Sequence, residues 1–288
     1  MPEGPEVTVI RQGLHKILQN QYIHQFDYDF KTSRYHKKKP IGYNEFSSTL
    51  PSKILEVNSK GKFIYFKFDN GWYLYNTLGM SGGWYMHLKS HPHLVVHYIK
   101  NKVVKNEDEL EKIWFIDPRH FGTFKFVKGE TELNKKLKTI GADLLNDNIT
   151  DTEFITKYRK CNHKKIDVVL NDQKVFSGIG NYLKAEILYT AAISPHTLIG
   201  NIPDWKLKEL LNAIKDRITA SYKMGGASVQ NYSDLKDNEG KFQQYFQVYK
   251  KKIDSHGNKV ISERVSKPND PKSQKTYWAP DVQKDNFD

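Results

Sequence analysis

The spacing of apolar residues changes once along this chain, near Gly129, and that switch restricts it to two halves built on different principles. Before it, short runs rich in β-branched and aromatic residues at 62–68, 72–77, 94–99, 113–116 and 123–127 alternate with Gly, Pro and Asn, the pattern of half-buried strands. After it the period lengthens. An N-cap at Asp151 or Thr152 opens apolar positions through Tyr158, and further helices are predicted over 166–170, 180–190 and 203–223. One helix precedes the strands, because Ile10, Leu14, Ile17 and Leu18 keep helical spacing across 5–20, with Glu6 in the first turn. From 247 to 280 basic and apolar residues alternate around His256-Gly257-Asn258 and again at Tyr277-Trp278, as in a two-stranded ribbon. Such a ribbon is marginal alone and must lean on the helices.

The expected class is therefore α+β. An N-terminal antiparallel β-sandwich with a leading helix occupies 1–128, a linker 129–140, a helical domain 141–246, and a β-hairpin with its tail 247–288. A length of 288 residues allows two cores, and an aromatic content of 13% can fill them. No internal repeat is present.

Lys and Arg outnumber Asp and Glu by 45 to 33, a net charge of +12 that favours a polyanionic partner through attraction and counterion release. The sign of a charge says nothing about chemistry, and a lysine-rich surface is the plain alternative. Cys161 is the sole cysteine, which excludes an intramolecular disulfide and a cysteine zinc site. No apolar run approaches the roughly 20 residues of a bilayer span, and the first residues carry glutamates where a secretory signal needs lysines. A soluble, intracellular protein without a membrane partner is expected. The basic run His36 to Lys39 can serve as a nuclear address, but a solvated loop is the simpler reading.

Pro2 is the first candidate for chemistry. A small second residue is the usual condition for removal of Met1, which leaves a secondary amine. An α-amino group titrates near about 8 and lysine near about 10.4, so the terminus has on the order of a hundredfold more unprotonated amine at neutral pH. Attack on the anomeric carbon of a deoxyribose gives an iminium, an electron sink for β-elimination. Glu3 and Glu6 lie beside that amine and can move a proton to or from the sugar. Taken alone, a proline at a helix start with glutamates in the first turn is ordinary capping chemistry.

Four segments in series weigh against the capping reading: Pro2-Glu3-Gly4-Pro5-Glu6, Thr77-Leu78-Gly79-Met80-Ser81-Gly82, Asp117-Pro118-Arg119-His120-Phe121-Gly122 and Gly178-Ile179-Gly180-Asn181-Tyr182. Together they resemble the Fpg/Nei family of DNA glycosylases, from Pro2 to about Pro280. The resemblance implies a bifunctional glycosylase and AP lyase of base excision repair. Pro2 is then the Schiff-base nucleophile, Glu3 the acid that opens the sugar, Glu6 the second acidic position and Lys62 a catalytic-domain lysine on the DNA backbone. Met80, Arg119 and Phe121 match the trio that fills the void left by an extruded base; a thioether and a flat ring can wedge into the stack, and a guanidinium can bond the orphaned partner. His120 departs from the commoner arginine there. The backbone amides from Gly178 to Asn181 and the Asn181 amide can converge on one phosphate at a helix start, as in a helix-two-turn-helix.

Most bacterial members of that family end in a four-cysteine zinc finger, whereas Tyr277-Trp278-Ala279-Pro280 and Val282-Gln283 stand here where cysteines are expected. This resembles the zincless finger of the Nei-like branch, so no metal and no cofactor are expected. Aligning on Trp278 puts Lys275 at the finger's phosphate-gripping arginine, with Gln274 as the alternative. The Gly after Pro2-Glu3 and the missing cysteines also suggest the Nei-like substrates, oxidised pyrimidines and ring-opened purines, followed by β- and δ-elimination. The residues from Gly225 to Tyr245 resemble the lesion-reading lid. Damaged DNA, duplex or single-stranded, is the expected partner of a monomer in the nucleus or another DNA-containing compartment. Two alternatives stand beside this reading: a catalytically silent binder of damaged DNA, and an RNA-binding protein that uses the same helical motif.

Overall fold

The computed structural model describes residues 2–28, 30–229, 232–265, 269 and 274–287. Two compact units emerge. The first joins residue 2, Glu6–Thr139 and Gly225–Gly240; the second joins Glu3–Pro5, Ile140–Met224 and the chain from Lys241 onward.

In the first unit, α1 (Gly4–Leu18) buries Val7, Ile10, Leu14 and Leu18, one stripe at helical spacing, and Asn20 ends it in a left-handed conformation (φ 64°). Strand β1 (Tyr22–Asp27), the short helix α2 (Tyr43–Ser47), and strands β2 (Ser52–Lys60), β3 (Phe63–Phe68), β4 (Trp72–Thr77), β5 (Gly83–Tyr85), β6 (Pro92–Ile99), β7 (Glu111–Ile116) and β8 (Thr123–Lys128) follow. The eight strands form one antiparallel sheet in the order β5-β7-β6-β1-β2-β3-β4-β8. Its two halves face each other across an aromatic core. Phe66 of β3 meets Trp84 of β5, Phe115 of β7 meets Phe124 of β8, and Phe26 of β1 meets Phe126, with ring centroids 5.8, 4.8 and 5.4 Å apart. Trp84 donates its indole N–H to Asn76 Oδ1 at 3.0 Å, which satisfies both of those buried groups.

The second unit contains β9 (Ala142–Asp143), α4 (Asp151–Arg159), α5 (Ile166–Asn171), β10 (Phe176–Ser177), α6 (Asn181–Thr190), α7 (Asp204–Lys223), β11 (Ile261–Glu263) and β12 (Thr276–Trp278). Strand β10 pairs in parallel with β9, β11 antiparallel with β12, and α6 packs on α7.

The α+β class and its architecture match the sequence reading, with local corrections. Strands β1, β2 and β5 are additional, and β3 begins at Phe63 because Gly61 and Lys62 form a two-residue turn between paired Lys60 and Phe63. The N-cap of α4 is Thr150, not Asp151 or Thr152; its hydroxyl accepts from Glu153 N while the Glu153 carboxylate accepts from Thr150 N, a full capping box. The expected linker carries α3 (Glu130–Lys138), a polar helix that buries Leu133. Residues 225–240 group with the first unit, not with the helices, because Leu235 joins the first unit's core. In the ribbon, His256-Gly257-Asn258 is a separate turn closed on Asp254, and β11 pairs instead with β12, 266–268 and 270–273 between them lying outside the described residues.

Candidate functional site

In the first unit, buried Pro2 lines a cavity of about 90 Å³ together with Ser81, Tyr85, Arg119, Tyr232 and Ser233. The expected removal of Met1 concerns a residue outside the described ones. Glu6, one turn into α1, is 1% exposed and accepts from Ala227 N at 2.7 Å. That bond requires Gly226: with φ +89°, a Cβ there would sit 2.6 Å from Glu6 Oε1. Tyr232 donates to Gly225 O at 3.1 Å, and burial, reinforced by the Glu6 charge, raises its pKa and keeps the phenol protonated. Thus the segment expected as a lid is tied back to the helix that follows Pro2; residues 230 and 231 of that segment lie outside the described ones. Tyr85 and Tyr232 were not singled out in the sequence, since nothing local marks either as a pocket wall.

The loops carrying Met80, Arg119 and Phe121 are brought together by one buried carboxylate. Asp117 accepts from Ser81 Oγ and Gly122 N, both at 2.6 Å, and Arg119 N donates to Ser81 Oγ at 3.1 Å. Gly79, at φ +63°, lets the two backbones touch; a Cβ there would lie 2.6 Å from the Phe121 carbonyl carbon. On this base Met80 is partly exposed, Arg119 exposed, and Phe121 52% exposed, with the guanidinium carbon 5.5 Å from the Phe121 ring centre. A phenyl ring so far out of the core is the type of group that can enter a base stack. Arg34, missed in the sequence, holds the outer loop by donating to His120 O and Gly122 O at 3.3 Å. Lys62 is half-buried in the β2–β3 turn.

In the second unit, Glu3 is 3% exposed and occupies the start of α6, accepting from the N–H groups of Gly180, Tyr182 and Leu183 at 2.6, 2.9 and 3.3 Å. Charge-assisted bonds at the positive end of a helix hold a carboxylate firmly. Here the sequence reading needs correction. Of the backbone amides expected to cradle a phosphate, Gly180 N is taken by Glu3 and Gly178 N by Gln173, while the Asn181 side chain donates through Nδ2 to Lys275 O at 2.9 Å. Gly4 N donates to Gly178 O at 2.8 Å, and Gln173 braces the turn by accepting from Gly178 N and donating to Ile179 O. Lys275 is exposed, as is Gln274. Behind Glu3, Lys184 is almost wholly buried, paired with Asp167 at 2.5 Å and donating to Thr276 at 2.9 Å; burial lowers its pKa against the pull of Asp167. Among the described residues no group of three His, Cys, Asp or Glu could hold a metal, and no helix is long and apolar enough to cross a membrane.

A buried proline at position 2 in a pocket of the β unit, an exposed Arg119–Phe121 pair on stitched loops and a carboxylate capping a helix start fit the class of DNA glycosylases with an N-terminal β domain. Three family models match in succession: the formamidopyrimidine-DNA glycosylase N-terminal domain over 1–124, its H2TH domain over 130–233 and its C-terminal domain over 233–284. The formamidopyrimidine-DNA glycosylases of Ruthia magnifica and Listeria monocytogenes (strain F2365) are each 29% identical, over 255 and 261 residues. The former alignment covers 86% of this chain and 88% of the relative, the latter 87% and 89%. Two Lactococcus lactis Fpg structures share the fold at 24% identity over 98% of this chain. They are a point mutant bound to Fapy-dG-containing DNA (TM-score 0.82, 100% of that chain) and a complex with abasic-site DNA (TM-score 0.81, 99%). The chain belongs to the formamidopyrimidine-DNA glycosylase family, the base-excision DNA glycosylases.

Proposed function

We propose that this chain is a bifunctional glycosylase and AP lyase that excises oxidised bases, mainly oxidised pyrimidines and ring-opened purines, from damaged DNA. The observation that carries the reading is Pro2 itself, buried in a cavity whose walls include Tyr85 and Tyr232 and which reaches Arg119 of the void-edge loop. A base turned into that cavity brings its C1′ to the proline nitrogen. Attack forms the C–N bond and the base departs with its electron pair. The Glu3 carboxylate takes the proton that the attacking nitrogen sheds and passes it to O4′ as the sugar opens to the iminium; the iminium acidifies C2′–H, water takes that proton, and the 3′-phosphate and then the 5′-phosphate leave with their C–O electron pairs in β- and δ-elimination. Met80, Arg119 and Phe121 fill the vacated stack, while Lys62, Asn181 and Lys275 hold phosphates around the lesion. Glu6 serves the amine and anchors the lid. No cofactor takes part.

The reading extends to the Nei-like branch with a zincless finger. What supports it is the packing of the ribbon: Val248, Val260 and Ala279 form an apolar cluster with Ala185 of α6, and Trp278 donates to Glu263 at 2.7 Å where a zinc finger would use metal bonds. The domain division follows: a catalytic β-domain, a helix-two-turn-helix domain and a finger, acting as a monomer wherever the cell keeps its DNA.

Borohydride trapping on abasic-site DNA tests the mechanism. The chain with a free Pro2 amine should become covalently joined to DNA and cleave it, and the same chain with Met1 retained should do neither. Equal trapping by the blocked chain, or an adduct on a lysine, rejects the proline assignment. A protein that binds the lesion but never traps is the silent binder.

A further inference from the structure

We propose that the outer face of the first unit carries a second nucleic-acid track, a groove that takes the phosphodiester backbone of DNA flanking the lesion; this rests on the glycosylase reading above. The groove is a cavity of about 470 Å³ on the face of β3, β4 and β8 that points away from the aromatic core. Arg34, Lys38, Lys39, Lys125 and Lys136 line it, and no Asp or Glu does. In a chain with 33 acids to 45 bases, an all-cationic lining is a strong local bias toward an anion.

Three features make this more than scattered surface lysines. First, the basic run noted in the sequence is held in place. Its stretch of loop is pinned at one end by Arg34 on His120 O and Gly122 O, and at the other by Phe126 N donating to Ile41 O at 2.8 Å, so Lys38 and Lys39 form a fixed wall. Second, the floor offers neutral hydroxyls, Thr77 and Thr123 side by side with their oxygens 2.6 Å apart, and aromatic surface from Phe63 and Tyr75. Cations that flank hydroxyls and rings are the chemistry of a strand-tracking groove. Third, the location fits: Thr77 precedes Met80 by three residues and Thr123 follows Phe121 by two, so the groove opens at the base of the void-edge loops. Backbone leaving the lesion passes next to it.

The test compares the full chain with Lys38→Ala/Lys39→Ala/Lys125→Ala and with the same three changed to Arg. Equilibrium binding is read against salt on a long duplex carrying a tetrahydrofuran abasic analogue. Each lost phosphate contact removes about 0.9 from the slope of log affinity against log salt, so the Ala variant should lose about 2 to 3 units and bind at least about tenfold more weakly at low salt. The Arg variant should keep the slope, which separates charge from misfolding. An unchanged slope in the Ala variant, or a loss on RNA but not on DNA, overturns the groove. Because the slope is read from binding, failure of borohydride trapping in the unmodified chain would sink the catalytic reading while leaving the groove to stand or fall on its own measurement.

Discussion

At the scale of single residues, most of the chemistry turns on carboxylates and imidazoles that folding places out of water. Asp117 stitches two loops, Glu3 caps a helix and Glu6 holds the segment at Ala227, and each accepts several or critically placed N–H or O–H groups. His93 belongs with them. It is 1% exposed, its ring lies 4.7 Å from that of His120, and burial lowers its pKa; Asp117 opposes that shift, while His120 and Arg34 add to it. The unfolded chain therefore takes up this proton at a higher pH than the folded one. Its contribution to stability is present above about pH 6.5 and is lost as pH falls from there toward the lower folded value. Urea midpoints should accordingly drop between about pH 7.5 and 5.5, and His93→Phe should flatten that drop; an identical pH profile in the variant would rule His93 out. Pro2, Glu3, Met80, Arg119 and Phe121 stand out in the sequence because short motifs carry them. Tyr85, Tyr232 and Arg34 do not, since each gains its meaning from a neighbour 30 to 230 positions distant in the chain.

Among the elements, the ribbon of β11 and β12 depends most on its surroundings. Strands of three residues cannot stand alone, and this pair is anchored through Thr276 to Lys184 and Asp167 inside the helices. Lys184→Met should leave Asp167 buried without its cation and cost about 3–5 kcal/mol, whereas Asp167→Asn with Lys184→Met should recover much of it. Chemical denaturation of the three proteins measures this, and a metal chelator should leave the unchanged chain's midpoint where it was. A chelator-induced fall would return a metal to the finger. The elements that escaped the sequence reading share a cause. Strands β1 and β2 mix polar and apolar residues without strict alternation, and α3 is nearly all polar, so tertiary burial of a few side chains such as Leu133 decides them.

For the molecule as a whole, a charge of +12 sets the terms of any encounter with DNA. Binding to undamaged duplex should be strongly salt dependent, falling by at least about a thousandfold between about 50 and 200 mM salt, as six or more phosphate contacts require; a titration showing a shallower fall would shrink the footprint. The amino-acid sequence by itself determined the two-part architecture, the proline at position 2, the loop motifs and the scarcity of cysteine, because periodicity and residue type are local properties. Tertiary structure alone decided that amides at the start of α6 serve Glu3, that residues 225–240 group with the first unit, and that a basic loop walls a groove. Those outcomes depend on which distant groups meet out of water, and one-dimensional spacing does not encode that.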